Sequence, residues 1–458
     1  MSKPLLAIDI GSSKVSAVIA EQRDDGTIHI VGSGIAKSQG VRKGTITNIE
    51  LTTRAVRQAL SDAKRIAGML PKKSIISISG AYTRSVNSSA IVNIPKHEIG
   101  IDEISRVMQT ALYNANIPNE YEVLHVLPYN FKVDEQEFIE DPFGMNANRL
   151  EVDTHVITAQ KSSLSNLKKA VKSAGVEIEN VVLGGYASAI SVLNDDEKEL
   201  GACVIDMGGS TCEMVVHSGN SIRYNTFLAV GSNHITNDLS MALHTPLEVA
   251  EKIKIEYGSL KEPSNDLIEI PTIGDEEQNE ISLEIVYSVI QARVQETLMI
   301  LAKELEKSNL RDQIGAGIVL TGGMTKLEGI RDIAMAIFDN MPVRIAKPRK
   351  VQGDFEPLDD PAFATVMGLL EYGAGGFTQY EIDSNRKVIH KKGLAPVTEG
   401  GLSDIPLTSE NDSNHKSTKR KLDNAEVKQT LAAEVAEEPK ETFGQKMKKM
   451  WHWMTQIF

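Results

Sequence analysis

Two short stretches hold residues that could clasp a phosphate chain. Asp9-Ile10-Gly11-Ser12-Ser13-Lys14 ends one apolar run, and Asp206-Met207-Gly208-Gly209-Ser210-Thr211 ends another. Sliding the chain by 197 residues puts Asp9 on Asp206, Gly11 on Gly208, Ser12 on Gly209, Ser13 on Ser210 and Lys14 on Thr211. Glycine in a tight turn lets backbone N–H groups converge into an anion nest with no Cβ in the way. Ser13, Ser210 and Thr211 add hydroxyl donors, and Lys14 adds a positive charge. Two residues before each glycine, Asp9 and Asp206 stand where a carboxylate can hold hydrated magnesium against phosphate oxygens. Neither turn is a Walker loop, because a strand pattern, not a helix, follows each. A third stretch is an apolar strand ending in Gly322-Gly323-Met324, where a flat ring such as adenine can lie against backbone. Glu251 and Lys254, three residues apart, share one face of a helix. One such hairpin is commonplace. Two in matching contexts point to an internal duplication, each half offering a turn to a shared cleft.

The elements that must carry these residues can be read from periodicity. Residues 5–10, 14–21 and 28–37 predict a β-meander. Asn48 is placed to cap a helix running to about residue 67. Residues 74–79 read as a strand. From 82 to 158 the rhythm changes, and a strand at 90–94, a helix at 102–114 and strands at 121–133 and 151–158 form a small α/β set, read as an insertion. A helix at 164–174, a strand at 178–183 and a helix at 184–193 lead to the second glycine turn. Strands at 202–205, 212–217 and 222–229 repeat the opening. A helical stretch over 233–257 is broken near His244-Thr245-Pro246. Residues 261–279 read as an acidic loop, 280–307 as one long helix, 317–321 as a strand, and 326–338 and 361–373 as closing helices.

The composition is that of a soluble globular chain, with 41% hydrophobic and 24% charged residues. No apolar run reaches the roughly 18 residues of a membrane span. The opening Met1-Ser2-Lys3-Pro4 lacks signal-peptide architecture, so a cytosolic location is expected. Cys203 and Cys212 are expected to be reduced core thiols. The histidines show no ligand spacing, so no transition metal is assigned. The net charge is −13, and it is unevenly placed. Residues 381–458 hold 13 basic and 12 acidic residues, leaving 36 against 50, or −14, on residues 1–380. A body this acidic argues against nucleic-acid binding.

The tail divides in two. Residues 391–442 carry no aromatic and are rich in charged and small polar residues, the composition of a linker. About 50 flexible residues span roughly 40 Å. The last sixteen residues differ. At 100° per residue, Phe443, Met447, Met450, Trp451, Met454, Ile457 and Phe458 fall within about 120° of one another. Trp453 lies at the edge of that stripe, and Lys446, Lys448 and Lys449 flank it. Both tryptophans of the chain are here, and no acid interrupts the segment. It is too short to cross a bilayer but suits a helix lying among headgroups, its lysines meeting anionic lipid.

In this order, the two glycine turns and Thr321-Gly322-Gly323-Met324 resemble the phosphate and adenosine motifs of the actin, heat-shock chaperone and sugar-kinase superfamily. Gly185-Tyr186-Ala187-Ser188-Ala189 and residues 362–368 stand where that superfamily has its connecting helices. Within it, the chain is similar to the bacterial cell-division FtsA family over about residues 4–376, and again at its C-terminal end. Gly40-Val41-Arg42-Lys43-Gly44, Val123-Leu124-His125-Val126-Leu127-Pro128 and Ala250-Glu251-Lys252-Ile253-Lys254 support this.

The resemblance implies an α/β, actin-like two-domain fold, with ribonuclease H-like halves around an ATP cleft. Residues 1–81 with 161–195, and 196–232 with 306–380, would be the actin-like domains. Residues 82–160 would be the family's inserted subdomain and 233–305 a further subdomain. Residues 381–442 would be a flexible linker and 443–458 an amphipathic membrane-targeting helix. It implies ATP and Mg²⁺ as cofactors. Gly11, Ser12, Ser13, Lys14, Gly208, Gly209, Ser210 and Thr211 would clasp the phosphates, and Asp9 and Asp206 would hold magnesium through water. Glu251 and Lys254 would face ribose and adenine, with Gly322, Gly323 and Met324 beneath the base. Fast ATPases of the superfamily place a Gln or Glu near the first connecting helix. Gly184-Gly185-Tyr186 offers none, so slow hydrolysis, or nucleotide acting mainly as an assembly switch, is expected, with Asp206 as the catalytic, water-orienting candidate. The resemblance also implies a scaffold on the cytoplasmic face of the inner membrane at the division site. It would self-assemble, tether the tubulin-like FtsZ through residues 233–305, and recruit later division proteins. A small-molecule kinase of the same fold would need an added carboxylate base and a substrate pocket, which no segment announces. An actin-like pilus-assembly protein would share the nucleotide motifs but not the C-terminal helix.

Overall fold

The structure is a computed structural model and describes residues 2–219, 221–261, 265–271, 278–351 and 358–391. The helix expected at 443–458, and the linker from 392 onward, lie outside the described residues.

β1 (Lys3–Ile10), β2 (Lys14–Gln22) and β3 (Ile28–Lys37) form an antiparallel meander. A two-residue-stranded hairpin, β4 (Val41–Arg42) and β5 (Thr45–Ile46), leads into α1 (Ile49–Ala67). The Asn48 side chain caps α1 by accepting the Leu51 N–H. β6 (Lys73–Ile78) then pairs in parallel with β1. An inserted layer follows: β7 (Thr83–Asn93), α2 (Ile101–Asn114), β8 (Tyr121–Val133), β9 (Gln136–Ile139) and β10 (Arg149–Gln160). Its sheet order is β7-β10-β8-β9, and α2 covers it with Ile104, Val107 and Met108. α3 (Lys161–Ser173) and β11 (Glu177–Leu183) complete the first sheet as β11-β6-β1-β2-β3.

α4 (Gly184–Val192) and the short α5 (Asp195–Leu200) carry the chain into the second half. β12 (Ala202–Met207), β13 (Cys212–Ser218) and β14 (Ser221–Leu228) repeat the meander. Next come α6 (Ser232–Ala242), α7 (Leu247–Tyr257), the hairpin β15 (Leu267–Pro271) and β16 (Gln278–Ser282), and α8 (Leu283–Lys307). β17 (Ile318–Thr321), α9 (Ile330–Ile337) and β18 (Val343–Ile345) finish the second sheet as β14-β13-β12-β17-β18. α10 (Ala364–Gly373) then returns to pack on the first sheet, where Gly373 lies against Leu5 and Ile75.

The duplication read from six-residue stretches therefore extends to whole sheets. In each, an antiparallel meander is extended by two parallel strands, with the glycine turn between its first two strands. Ile10 pairs with Val15 and Met207 with Cys212, the same offset of 197 residues. Both sheets are covered on both faces, so β12 is buried at five of six positions instead of alternating.

Three expectations about elements need correction. The stretch 261–307 is not a loop to 279 followed by a helix from 280. Leu267-Ile268-Glu269-Ile270 has strand alternation and pairs with Gln278–Ser282, and the Ser282 side chain caps α8 by accepting the Glu284 N–H. The closing helix at 326–338 is a short 3₁₀ turn, Gly323–Lys326, followed by α9, because Gly329 at φ 88° interrupts it. The strand at 90–94 begins at Thr83. Its polar start is paired throughout with β10 but largely faces solvent, so no apolar alternation marks it.

The inserted layer is pinned to the second half by a buried histidine. His155 on β10 lies with Nδ1 2.8 Å from Asn87 Oδ1 and Nε2 2.8 Å from Asn225 Oδ1 of β14. Burial pushes its pKa down to about 4, so the ring is neutral at pH 7, and one amide must turn its NH₂ to the bare nitrogen. Beside it, the Arg223 guanidinium lies 4.7 Å from the centre of the Tyr129 ring. Because the folded pKa is depressed below the ordinary histidine value of 6.5, the associated stability is present above pH 6.5 and is lost as pH falls toward 4. That loss is roughly 3 kcal/mol. His155→Gln is expected to flatten the stability profile between pH 6.5 and 4 by this amount, read from denaturant midpoints. Parallel profiles for variant and parent would refute the assignment.

Candidate functional site

The two glycine turns face each other across a cleft of about 680 Å³, within the range of small-molecule cofactor sites. Each is closed by the same bond. The Gly11 N–H donates to Lys14 O at 3.0 Å, and the Gly208 N–H to Thr211 O at 2.8 Å. The turns also touch. A Cβ on Gly209 would lie 2.0 Å from Ser13 Oγ, so a larger residue here would have to displace the serine hydroxyl.

Lys14 lies at the centre of the cleft. Its Nζ stands 3.4 Å from the centre of the Phe363 ring, and no carboxylate among the described residues forms an ion pair with it. Burial lowers its pKa, opposed by the fields of Asp9, Asp360 and Asp206. A desolvated ammonium that feels nearby carboxylates but makes no direct ion pair among the described residues is the feature an anionic ligand would satisfy.

The two aspartates are held by hydroxyls. Ser77 Oγ on β6 donates to Asp9 Oδ1 at 2.7 Å. Asp206 Oδ2 accepts from Ser188 Oγ on α4 and from Thr365 Oγ1 on α10 at 3.1 Å, so both connecting helices converge on it. Burial raises Asp9 to about 6 and raises Asp206 as well. Two desolvated carboxylates, one from each half, are a donor set suited to a hard, hydrated cation.

On the second-half side, Lys254 Nζ pairs with Glu251 Oε2 at 2.7 Å and donates to Thr236 Oγ1 at 2.9 Å. Below them, Gly322 sits at φ 89°, and a Cβ there would lie 2.4 Å from Asp206 Oδ1. Gly323 and Met324 continue this wall. Of the cleft residues expected from sequence, all but Ser210 line this cavity. Ser210 faces outward, where its Oγ accepts from Asn233 Nδ2 at 3.0 Å.

One acid was missed. The stretch Gly184-Gly185-Tyr186 holds no carboxylate, but Glu213 of β13 supplies one in space. Its Oε1 accepts from Ser79 Oγ at 2.6 Å and from the Gly80 N–H at 3.0 Å, and its Oε2 accepts from the Gly185 N–H at the start of α4. All three donors belong to the first half and the acceptor to the second. Burial raises Glu213 to about 7 against these hydrogen bonds, with Asp206 adding to the rise. Asp206 and Glu213 are direct cross-strand partners, so their side chains share one face. A lone acid inside the apolar run Cys212–Val216 was the signal that could have marked it.

Comparison with known proteins places the chain. A family model described as cell division protein FtsA matches residues 203–368, and one described as the SHS2 domain inserted in FTSA matches residues 80–158. The chain is 38% identical over 413 residues to the cell division protein FtsA of Helicobacter pylori (strain ATCC 700392 / 26695), covering 83% of this chain and 84% of that one. It is 30% identical over 396 residues to the Escherichia coli (strain K12) protein of the same name, covering 84% and 94%. Among solved structures, the PilM-PilN type IV pilus biogenesis complex superposes with a TM-score of 0.58 at 17% identity, covering 81% of this chain and 98% of that one. That last likeness is one of fold.

Proposed function

The chain belongs to the FtsA family of cell division proteins, and from that premise we propose that it is a nucleotide-switched scaffold of the division machinery. The observation that carries the reading is the pair of touching glycine turns around Lys14, which makes no ion pair among the described residues. ATP would lie between the halves, its phosphates on Gly11–Lys14 and Gly208–Thr211 and its adenosine against Glu251, Lys254 and Gly322–Met324. Asp9 and Asp206 would hold Mg²⁺ through water. The bound metal supplies charge neutralisation for the phosphates. The chain's own part is to orient and close. Each turn belongs to a different sheet, so a ligand bridging them fixes the angle between halves, and subunits that stack in one angle only would assemble in step with binding. Glu213, near the start of α4, is the group able to take a proton from water at the phosphate end.

Location would be the work of residues 443–458, lying on anionic lipid at the cytoplasmic face of the inner membrane. FtsZ would dock on the subdomain built from α6, α7, the β15–β16 hairpin and α8, and later division proteins would join the assembly. The test is co-sedimentation of the full chain with anionic vesicles, ATP and FtsZ. FtsZ is expected in the pellet only with the chain present. Deletion of 443–458, or Trp451→Glu, is expected to release both proteins to the supernatant. Vesicle binding that survives both variants would remove the anchor, and FtsZ left in solution beside a bound chain would remove the tether.

A further inference from the structure

Outside the touching turns lies a second cavity of about 750 Å³. Ser12 and Glu251 line both cavities. Ser13 and Gly209 line only the inner one, and Ser210 and Asn233 only the outer one. Ser12 and Glu251, which line both, therefore belong to the wall shared by the two cavities, and the contact of Ser13 with Gly209 lies on its inner side. The first-half wall of the outer cavity is the β4–β5 hairpin, which presents Arg42 and Lys43, both exposed. Neither has an ion-pair partner among the described residues.

The hairpin is built, not loose. Thr47 and Asn48 donate their N–H groups to Gly40 O at 2.7 and 3.1 Å. Lys43 stands at φ 49°, in the left-handed region that a side chain with a Cβ adopts at a cost. Opposite stand the Ser210 hydroxyl and the Asn233 amide. The one carboxylate of this wall, Glu251, is neutralised by Lys254 at 2.7 Å. Two cations without ion-pair partners among the described residues face polar groups across a cavity whose wall includes Ser12 and Ser210, one from each phosphate turn.

We propose that this outer cavity is a second anion site that takes orthophosphate, held by Arg42 and Lys43 against Ser210 and Asn233, on the way out of the cleft between the two turns. The proposal rests on the reading of the inner cleft as an ATP site for its purpose, but not for its existence. Guanidinium and ammonium donors to phosphate oxygens form charge-assisted bonds about twice as strong as neutral ones. The position of the cations, on the outer side of the wall that Ser12 and Glu251 share with the inner cleft, separates product from bound nucleotide.

The probe is radiolabelled inorganic phosphate in equilibrium dialysis with the full chain, once nucleotide-free and once with ADP, alongside separate ATP titrations. The Arg42→Ala/Lys43→Ala double variant alters exposed residues only. It is expected to weaken phosphate binding roughly tenfold or more in both states, about 1.4 kcal/mol, with ATP affinity unchanged. The charge-preserving Arg42→Lys/Lys43→Arg pair is expected to keep most of the binding. Equal phosphate affinity in the double variant and the parent overturns the site. So does a parallel fall in ATP affinity, which would make the two cations part of the inner clasp. A chain that binds phosphate through Arg42 and Lys43 but binds no ATP would leave the site standing and remove the nucleotide reading instead.

Discussion

Gly368→Ala is expected to cost at least about 3 kcal/mol of stability, the upper part of the range for overpacked cores. α4 and α10 cross where the chain passes between its halves, and a Cβ at position 368 would lie 1.7 Å from Ala187 O and 2.4 Å from Ala187 C. Both obstacles are backbone, so no side-chain rotation relieves the clash. The helices must separate, and Ser188 and Thr365, which hold Asp206 from the two helices, must separate with them. The variant should therefore lose thermal stability and nucleotide affinity together. Gly144→Ala is the control. Gly144 stands at φ 77° with nothing within 4 Å of a new Cβ, so it should show only the left-handed penalty of about 1–2 kcal/mol. Equal melting shifts for the two variants would show that the crossing is looser than its geometry.

Glu213→Gln is expected to reduce ATP turnover about 10²-fold or more, the usual worth of a general base. Its position adds a second signature. With Glu213 raised to about 7, the carboxylate form grows as pH rises through neutrality, so turnover in the parent should climb between pH 6 and 8. The variant should lose that climb as well as the rate. If Glu213 only ties the halves through Ser79, Gly80 and Gly185, the outcome differs. ATP affinity would then fall and the pH slope would persist. Measuring affinity and turnover on the same variant separates the two roles.

How much of this was legible beforehand depended on whether the signal was local. The glycine turns could be read because turn, hydroxyls and aspartate lie within six residues, and the duplication because both copies keep that spacing. Helix α1 announced itself through Asn48 and its apolar stripe. Glu213 stayed out of view because its donors are 134, 133 and 28 residues away in the chain. His155 was one of several scattered histidines until β14 brought Asn225 to it, 70 residues on. The β15–β16 hairpin was obscured by acidic neighbours that lowered the average over its alternation. The start of the linker was misplaced for a similar reason. Residues 381–391 share the tail's composition, yet Glu381 and Ile382 are fully buried and Asp383 is 5% exposed. Composition averages over a window, whereas burial is decided residue by residue.

That buried segment has a mechanical meaning. Glu381 accepts hydroxyl protons from Tyr186 on α4 and Tyr372 on α10, each at 2.6 Å, and burial pushes both phenols well above their usual range. Next to it, Ile382 exchanges backbone hydrogen bonds with Val126 of β8 at 3.0 Å in both directions. Glu381 and Ile382 are thus stitched at one point to both crossing helices and to the inserted layer. A pull along the tail does not end in a loose loop at the surface. It arrives at Glu381, where it is divided among the two helices that set the angle of the cleft and the strand that carries the insertion. Tension on the tail and closure of the cleft share one anchor point, so a force applied at one end of the molecule acts on the geometry of its centre.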